Sequence, residues 1–469
     1  MITRAQKRYC LAILLLLTFI RIYPVPANTI VATIPVGITP EQITLTSDNQ
    51  LAYVPNNNNY GVTVTGSAIN ADSVSVINLT NNTLLETIYD PSFSQPYTIT
   101  INPAGTKAYV TNSNSTTISI INLATNTVTG TIPGFHGPTG MAITLDGLTG
   151  YVNNYNNNAE VSGLGTTVSV VNLTNNTITA TLTVGTAPAA VALSPNGQYV
   201  YVINYGAALT AAGSLSVIQT SNNSVTTPLG VGSFFGPYAI AITPDGNYAY
   251  VTNFGNNNFT PIGTTVTVVD LNSNTITAII DLGLQPAGVA ITPDSKYAYI
   301  SNYNSLYSYQ GGGAPLVVGE GTVNIIDIAT NELLPVTIPV GQSPGAITID
   351  STGEYAYVSN FSSNTVNVIT LQSFQIVAQG STIQNKYLTQ IDLVNKITWT
   401  VSGTSLPVSY SIYRDANLTD LAATIPVTAP FVFLDHNRIP DVTYTYYVIG
   451  KNQVGTTSVP VVITVTPTA

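Results

Sequence analysis

The sequence predicts an all-β chain: a seven-bladed β-propeller of four-stranded blades, followed by a smaller β domain. The first supporting observation is a strand that ends in Tyr-Val-x-Asn or a near variant seven times, at Tyr53-Val54-Pro55-Asn56, Tyr109 to Asn112, Tyr151 to Asn154, Tyr201 to Asn204, Tyr250 to Asn253, Tyr299 to Asn302 and Tyr357 to Asn360. The tyrosines lie 56, 42, 50, 49, 49 and 58 residues apart, the period of a four-stranded unit rather than of a helical hairpin. The second is a set of seven prolines in phase with them, Pro40, Pro96, Pro138, Pro188, Pro237, Pro286 and Pro344. The third is turn chemistry between β-branched runs, which marks short strands joined by tight connections.

Residues 238 to 280 show the unit. Tyr238 to Ile242 alternates as a first strand, and Thr243-Pro244-Asp245-Gly246 is a turn with proline at its second position, where its fixed φ suits type I. Tyr248 to Asn253 is the second strand. A loop leads to the third, Thr265 to Leu271, and the Asn-rich turn Asn272-Ser273-Asn274 delivers the fourth, Thr275 to Asp281. The first strands are small and apolar, as in Ala190 to Leu193, which suits the strand nearest a propeller axis. Paired tyrosines such as Tyr248 and Tyr250, Tyr297 and Tyr299, and Tyr355 and Tyr357 are expected to supply large rings on both faces of the second strand and to fill the space between blades.

The chain ends do not match a simple count. Asn28 to Ile34 reads like the fourth strand Asn274 to Ile280, yet nothing before it reads as the three preceding strands. Its expected place is the outer strand of the last blade, after Thr365 to Ile369, so that an N-terminal outer strand closes the ring and removes open edges. Motifs such as Thr243-Pro244-Asp245-Gly246-Asn247-Tyr248-Ala249-Tyr250-Val251-Thr252-Asn253 resemble the YVTN-type β-propeller repeat family, which includes surface-layer-associated proteins of prokaryotes. The resemblance covers about residues 28 to 380. The third repeat departs, with Leu148-Thr149-Gly150 where others carry a different run. The family's repeat has no catalytic residue set, so none is implied here.

After Gln379 the tyrosine repeat stops, and residues 385 to 469 hold five bases and five acids. Trp399 on one strand, Tyr410 to Arg414 on another, and Pro440-Asp441-Val442-Thr443-Tyr444 leading into Val448 resemble a fibronectin type III sandwich. The resemblance implies Trp399 as core ring and Tyr444 as corner tyrosine. Such modules space or anchor neighbouring domains. The expected domains are thus a signal peptide at 1–27, the propeller at 28–380 and the sandwich at 385–469.

Composition bounds the function. Arg4, Lys7 and Arg8, an apolar run from Cys10 to Ile20 and Val25-Pro26-Ala27 read as a secretory signal. The run is too short to span a bilayer, so no stable membrane insertion is expected after cleavage. Cleavage after Ala27 would also remove Cys10, the chain's single cysteine, and with it thiol and disulfide chemistry. The protein is expected to be secreted, periplasmic or at the cell surface. Residues 28 to 384 carry two bases, Lys107 and Lys296, against sixteen acids, a net charge of −14. Nucleic acid is therefore not an expected partner, because phosphate backbones demand several bases.

Three motifs tempt a chemical reading. Gly341-Gln342-Ser343-Pro344-Gly345 matches the nucleophile elbow G-x-S-x-G, but Ser343 falls where Ala187 and Gln285 sit in other repeats, and no helix is predicted after it. Asp270, Asn272, Asn274 and Asp281 mimic a calcium loop, with Thr275 where that loop requires glycine. His136 is the single histidine of the propeller region, too isolated for the usual zinc site, though placed to assist acid-base chemistry with Asp90 or Asp146. No catalytic residue, metal ligand or cofactor is assigned.

Loop lengths say more. The connections between second and third strands are long in repeats one, three, four, five and six, and variable loops on a rigid scaffold are where binding usually resides. An Asn-aromatic pair opens this connection in five repeats, giving Tyr155, Tyr205, Phe254, Tyr303 and Phe361, with Tyr307, Tyr309 and His136 nearby in sequence or on the same face. Aromatics with amides and few charges suit sugars or polymer chains. The competing expectation is that these rings pack against the blades. The sequence therefore points to a secreted or cell-surface binding or scaffold protein with an extracellular protein or glycan ligand. The alternatives are an extracytoplasmic enzyme of lactonase-like or lyase-like propeller type, or a self-associating surface-layer component.

Overall fold

The computed structural model describes residues 28–58, 72–158, 161–206, 212–226, 229–255, 262–283, 285–306, 316–317, 320–371, 374–386, 391–403, 409–426, 431–451 and 461–467. They divide into two compact units, one of residues 28–371 and one drawn from residues 372–469. The larger unit is all-β and propeller-like.

Among the described residues this unit holds seven four-stranded antiparallel sheets and one two-stranded sheet, Ser305–Leu306 with Leu316–Val317. In the fifth, Pro237–Ile242 pairs with Tyr248–Gly255, that strand with Ile262–Asp270, and the last with Thr275–Asp281. Their turns follow the residue chemistry. Thr243 donates its hydroxyl to Asp245 Oδ1, Asp245 Oδ1 accepts the Asn247 N–H, and Gly246 takes a positive φ of 75° that suits glycine. Asn82, Asn126, Asn176, Asn274 and Asn331 sit at positive φ just before fourth strands, and Asn223 in the corresponding turn of the fourth sheet, where asparagine tolerates the left-handed region.

Each sheet packs on the next through an apolar layer. Tyr53, Val74 and Val76 meet Ile99, Ala108 and Val110; Tyr250, Val266 and Val268 meet Val289, Ala298 and Ile300. The series returns on itself, since Val366 and Val368 of the last sheet pack with Ile43, Ala52 and Val54 of the first. The tyrosine pairs do not serve both faces of a strand. Tyr355 and Tyr357 belong to one layer, as do Tyr248 and Tyr250, because residues two apart on a strand point the same way.

The strand Thr29–Pro35 is the fourth strand of the seventh sheet, paired antiparallel with Thr365–Thr370. Asn28, at φ 61°, precedes it as the turn asparagines precede the other fourth strands. Its N–H donates to the Thr370 carbonyl at 2.6 Å. Its Oδ1 accepts from Tyr299 at 2.8 Å, matching Tyr53 to Asn126, Tyr151 to Asn223 and Tyr250 to Asn331. The N-terminal strand thus brings with it the local cap that the other fourth strands receive from their hairpins.

The second unit has a three-stranded sheet, Phe374–Lys386, Ile391–Gly403 and Val432–Asp435, and a four-stranded sheet ordered Leu421–Pro426, Ser409–Tyr413, Tyr444–Lys451, Val461–Val465. Its first strand runs across the 380 to 385 boundary suggested by composition and pairs along its length with Ile391–Gly403. Trp399, Tyr410, Ile412, Tyr446 and Val448 form the core, with the Trp399 and Tyr410 rings 5.3 Å apart. Tyr444 Oη accepts the N–H of Ile439, five residues upstream. Asp435, almost fully buried, accepts from Arg414, Tyr446 and, at 3.4 Å, faces Arg438.

Candidate functional site at the channel neck

In all seven sheets the in-phase proline pairs with the asparagine that ends the second strand: Pro40 with Asn56, Pro96 with Asn112, Pro138 with Asn154, Pro188 with Asn204, Pro237 with Asn253, Pro286 with Asn302 and Pro344 with Asn360. Each asparagine is buried and donates from Nδ2 to side chains of the third strand, as Asn253 does to Thr265 and Thr267 at 2.9 Å each. The residue after each asparagine is fixed too. Its N–H reaches the carbonyl of the residue before the proline, from Asn57 to Thr39 through Phe361 to Ser343. That acceptor residue is left-handed at Thr39, Gln95, Gly137, Ala187, Gly236 and Ser343. Ser343 is therefore one of a set of loop positions, and the strand Pro344–Ile349 follows it where a nucleophile elbow needs a helix.

This frame places the residue after each proline at equivalent points: Glu41, Tyr97, Thr139, Ala189, Tyr238, Ala287 and Gly345. Six of them, Ala287 excepted, line a cavity of about 370 Å³ walled by the first strands of all seven sheets, down to Ile291 and Ile349. The hydroxyls of Tyr97, in the second sheet, and Tyr238, in the fifth, lie 2.6 Å apart. A phenol pair thus spans the channel between non-neighbouring sheets, where small residues at Ala189, Ala287 and Gly345 leave the room. Burial, followed by the proximity of Tyr238 and Glu41, holds the Tyr97 hydroxyl well above the usual phenol range. Glu41 keeps part of its accessible surface but is surrounded by protein atoms in the neck, and this burial pushes its carboxyl up to about 8.

The predicted aromatics cap this neck on the long-loop side. Phe254 stacks on Tyr238 with centroids 5.1 Å apart, Tyr303 meets Phe254 edge-on at 5.5 Å, and Phe361 lies 6.2 Å from Tyr303. Phe254 and Tyr303 are buried, only 5% and 8% exposed, whereas Tyr155, Tyr205 and Phe361 keep part of their surface. Tyr205 donates to the Gly255 carbonyl at 2.7 Å, and burial, with Tyr155 nearby, pushes its hydroxyl up to about 12. Tyr307 and Tyr309 lie outside the described residues.

His136 stands apart from the channel lining. Its N–H donates to Asn154 Oδ1 at 3.2 Å and its carbonyl accepts from Asn156, so the backbone is engaged in the loop frame. Asp90 lies in another recess, with Asp72, whose oxygens accept the N–H groups of Asn58 and Gln95. Asp146 is exposed in a tight turn and accepts from Thr144. Asp270 Oδ1 accepts from the N–H groups of Asn272 and Ser273, a self-contained hairpin turn. Among the described residues no three His, Cys, Asp or Glu side chains gather as a metal site would require.

Sequence reasoning did not find Glu41 or the pairing of Tyr97 with Tyr238. The available signal was the register itself: seven prolines in phase, followed by seven different surroundings.

No protein-family model matches the chain, and no curated protein matches it. Among solved structures, a chain of the Kuenenia stuttgartiensis hydrazine synthase superposes with a TM-score of 0.57 at 19% identity, covering 71% of this chain and 95% of that one. At that identity the likeness concerns the fold, which is of propeller type.

Proposed function

We propose that the chain is a secreted or cell-surface binding or scaffold protein, a seven-bladed β-propeller of YVTN type closed by its N-terminal strand and carrying a fibronectin type III-like sandwich. Seven four-stranded sheets packed in a closed series favour that architecture, and the Tyr444 bond to the Ile439 N–H favours a sandwich with a tyrosine corner. The observation that carries the binding reading is the set of partly exposed rings Tyr155, Tyr205 and Phe361 on the loop side, of which Phe361 is backed by the buried Tyr303 and Phe254. Such rings with few charges suit the flat apolar faces of sugars in an extracellular glycan.

The enzyme reading required acids gathered with His136 at the channel. Instead Glu41 is the one carboxyl among the lining residues, and Asp90 and Asp146 sit elsewhere. The test is a glycan array probed with the secreted chain and with a Tyr155→Ala/Phe361→Ala variant, both partly exposed positions. Saturable retention that falls about tenfold in the variant supports the reading, since one aromatic contact contributes roughly 1 kcal/mol. Equal retention by both proteins moves the site off this face.

A further inference from the structure

Glu41 is anomalous for its setting. Its carboxyl lies in the channel neck with burial as the single cause of its shifted titration, and among the described residues no cation compensates it. The larger unit's two bases are elsewhere: Lys107 is exposed, and Lys296 pairs with Asp294 at 3.0 Å. A carboxyl in such a place costs free energy when ionised unless a counter-charge reaches it. The neighbouring Tyr97 and Tyr238 phenols, whose hydroxyls lie 2.6 Å apart, are neutral and carry no positive charge to supply one.

We propose that the channel neck is a recognition site for a small organic ammonium group, held by the Glu41 carboxylate with the phenol oxygens of Tyr97 and Tyr238 as further acceptors. An entering ammonium supplies the missing positive charge, and the proton leaves Glu41 for solvent as it binds. The cavity of about 370 Å³ admits a small amine, and Val191, Ile240, Val289 and Ile347 offer apolar wall for its carbon portion. The acidic balance of the surrounding sheets attracts cations and disfavours anions. Aromatic rings beside the carboxylate add to cation recognition. The titratable groups facing Glu41 are Tyr97 and Tyr238 in the lining, with Tyr155 close to Tyr97. This site goes beyond the loop-face reading, because a channel amine and a glycan on the loops are different ligands.

The test is calorimetric titration of the whole secreted chain with ethanolammonium chloride at pH 7, in phosphate and in HEPES buffer. Ethylene glycol serves as the neutral analogue and potassium chloride as the inorganic control. The expected result is saturable ethanolammonium binding with proton release, seen as a heat that differs between the buffers. Neither control should compete. Glu41→Gln should weaken binding about tenfold or more, the scale of a lost charge-assisted contact. The buffer comparison uses the native protein and so stands even if a variant folds poorly. Equal binding of ethylene glycol, equal competition by potassium, no proton release, unchanged affinity in Glu41→Gln, or no binding by the native chain would each overturn the proposal. Glycan retention on the array is read separately and is indifferent to all of these outcomes.

Discussion

Two layers of the larger unit occur once per sheet, a residue or two apart across the same strand pair, and they have opposite character. The layer that ends the second strands is asparagine seven times, from Asn56 to Asn360, each buried and donating to the third strand. The layer after the paired prolines reads Glu41, Tyr97, Thr139, Ala189, Tyr238, Ala287 and Gly345. Uniformity in the first follows from a backbone task that every sheet shares. Variety in the second follows from a single shared space, the channel, which six of the seven positions line and which two tyrosines span. The repeated residue marks what the fold requires, and the varied residue at a fixed register marks where the molecule is free to become specific.

Breaking the repeated layer should have the largest effect. A Cβ at Gly341 would sit 2.6 Å from Asn360 Cγ, so Gly341→Ala should cost about 3 kcal/mol by overpacking, seen as a lowered thermal midpoint. Gly130 has nothing within 4 Å of its Cβ position, and Gly130→Ala should leave the midpoint unchanged or raise it by an amount equivalent to about 0.5 kcal/mol. Asn253→Ala should come next, at about 2 kcal/mol, because it removes two buried donors and leaves the Thr265 and Thr267 hydroxyls without them. Ethanolammonium affinity should survive in folded Asn253→Ala protein, which separates frame from neck.

The neck should give a stability effect of a different kind, one that depends on pH. The folded carboxyl of Glu41 holds its proton up to about 8, above its usual 4.5, so the folded chain binds a proton that the unfolded chain has lost. Stability from this group is therefore full below the ordinary carboxylate range and falls as pH rises toward about 8. Glu41→Gln should flatten that part of the profile in denaturation measured from pH 4 to 9. An unchanged slope would assign it to other groups.

Much of the frame was legible because it is local. The Thr-Pro-Asp-Gly turn fixes its own hydrogen bonds within a few residues, as Thr243 and Asp245 do. Asn28-Thr29-Ile30 could be matched to Asn274-Thr275-Ile276 because the left-handed asparagine and the strand it starts travel together. The candidate site was legible only in part. The rings at Phe254 and Tyr303 were visible as a pattern, but whether they face solvent or each other depends on neighbouring sheets about fifty residues away. Tyr97 and Tyr238 are 141 residues apart and meet across the channel between non-adjacent sheets, a contact that no periodicity encodes. Glu41 drew no notice because one glutamate among sixteen acids has no signature until its burial is known.

The most direct test of the claim that the varied neck layer is the working one is a carbon-13 titration of the Glu41 side-chain carboxyl, with and without saturating ethanolammonium. The account predicts a midpoint near 8 in the free protein, moving down by at least about one unit when the amine is bound, since a counter-charge within a few ångströms favours the ionised form. A free midpoint in the ordinary carboxylate range, or one that the amine leaves in place, would contradict it.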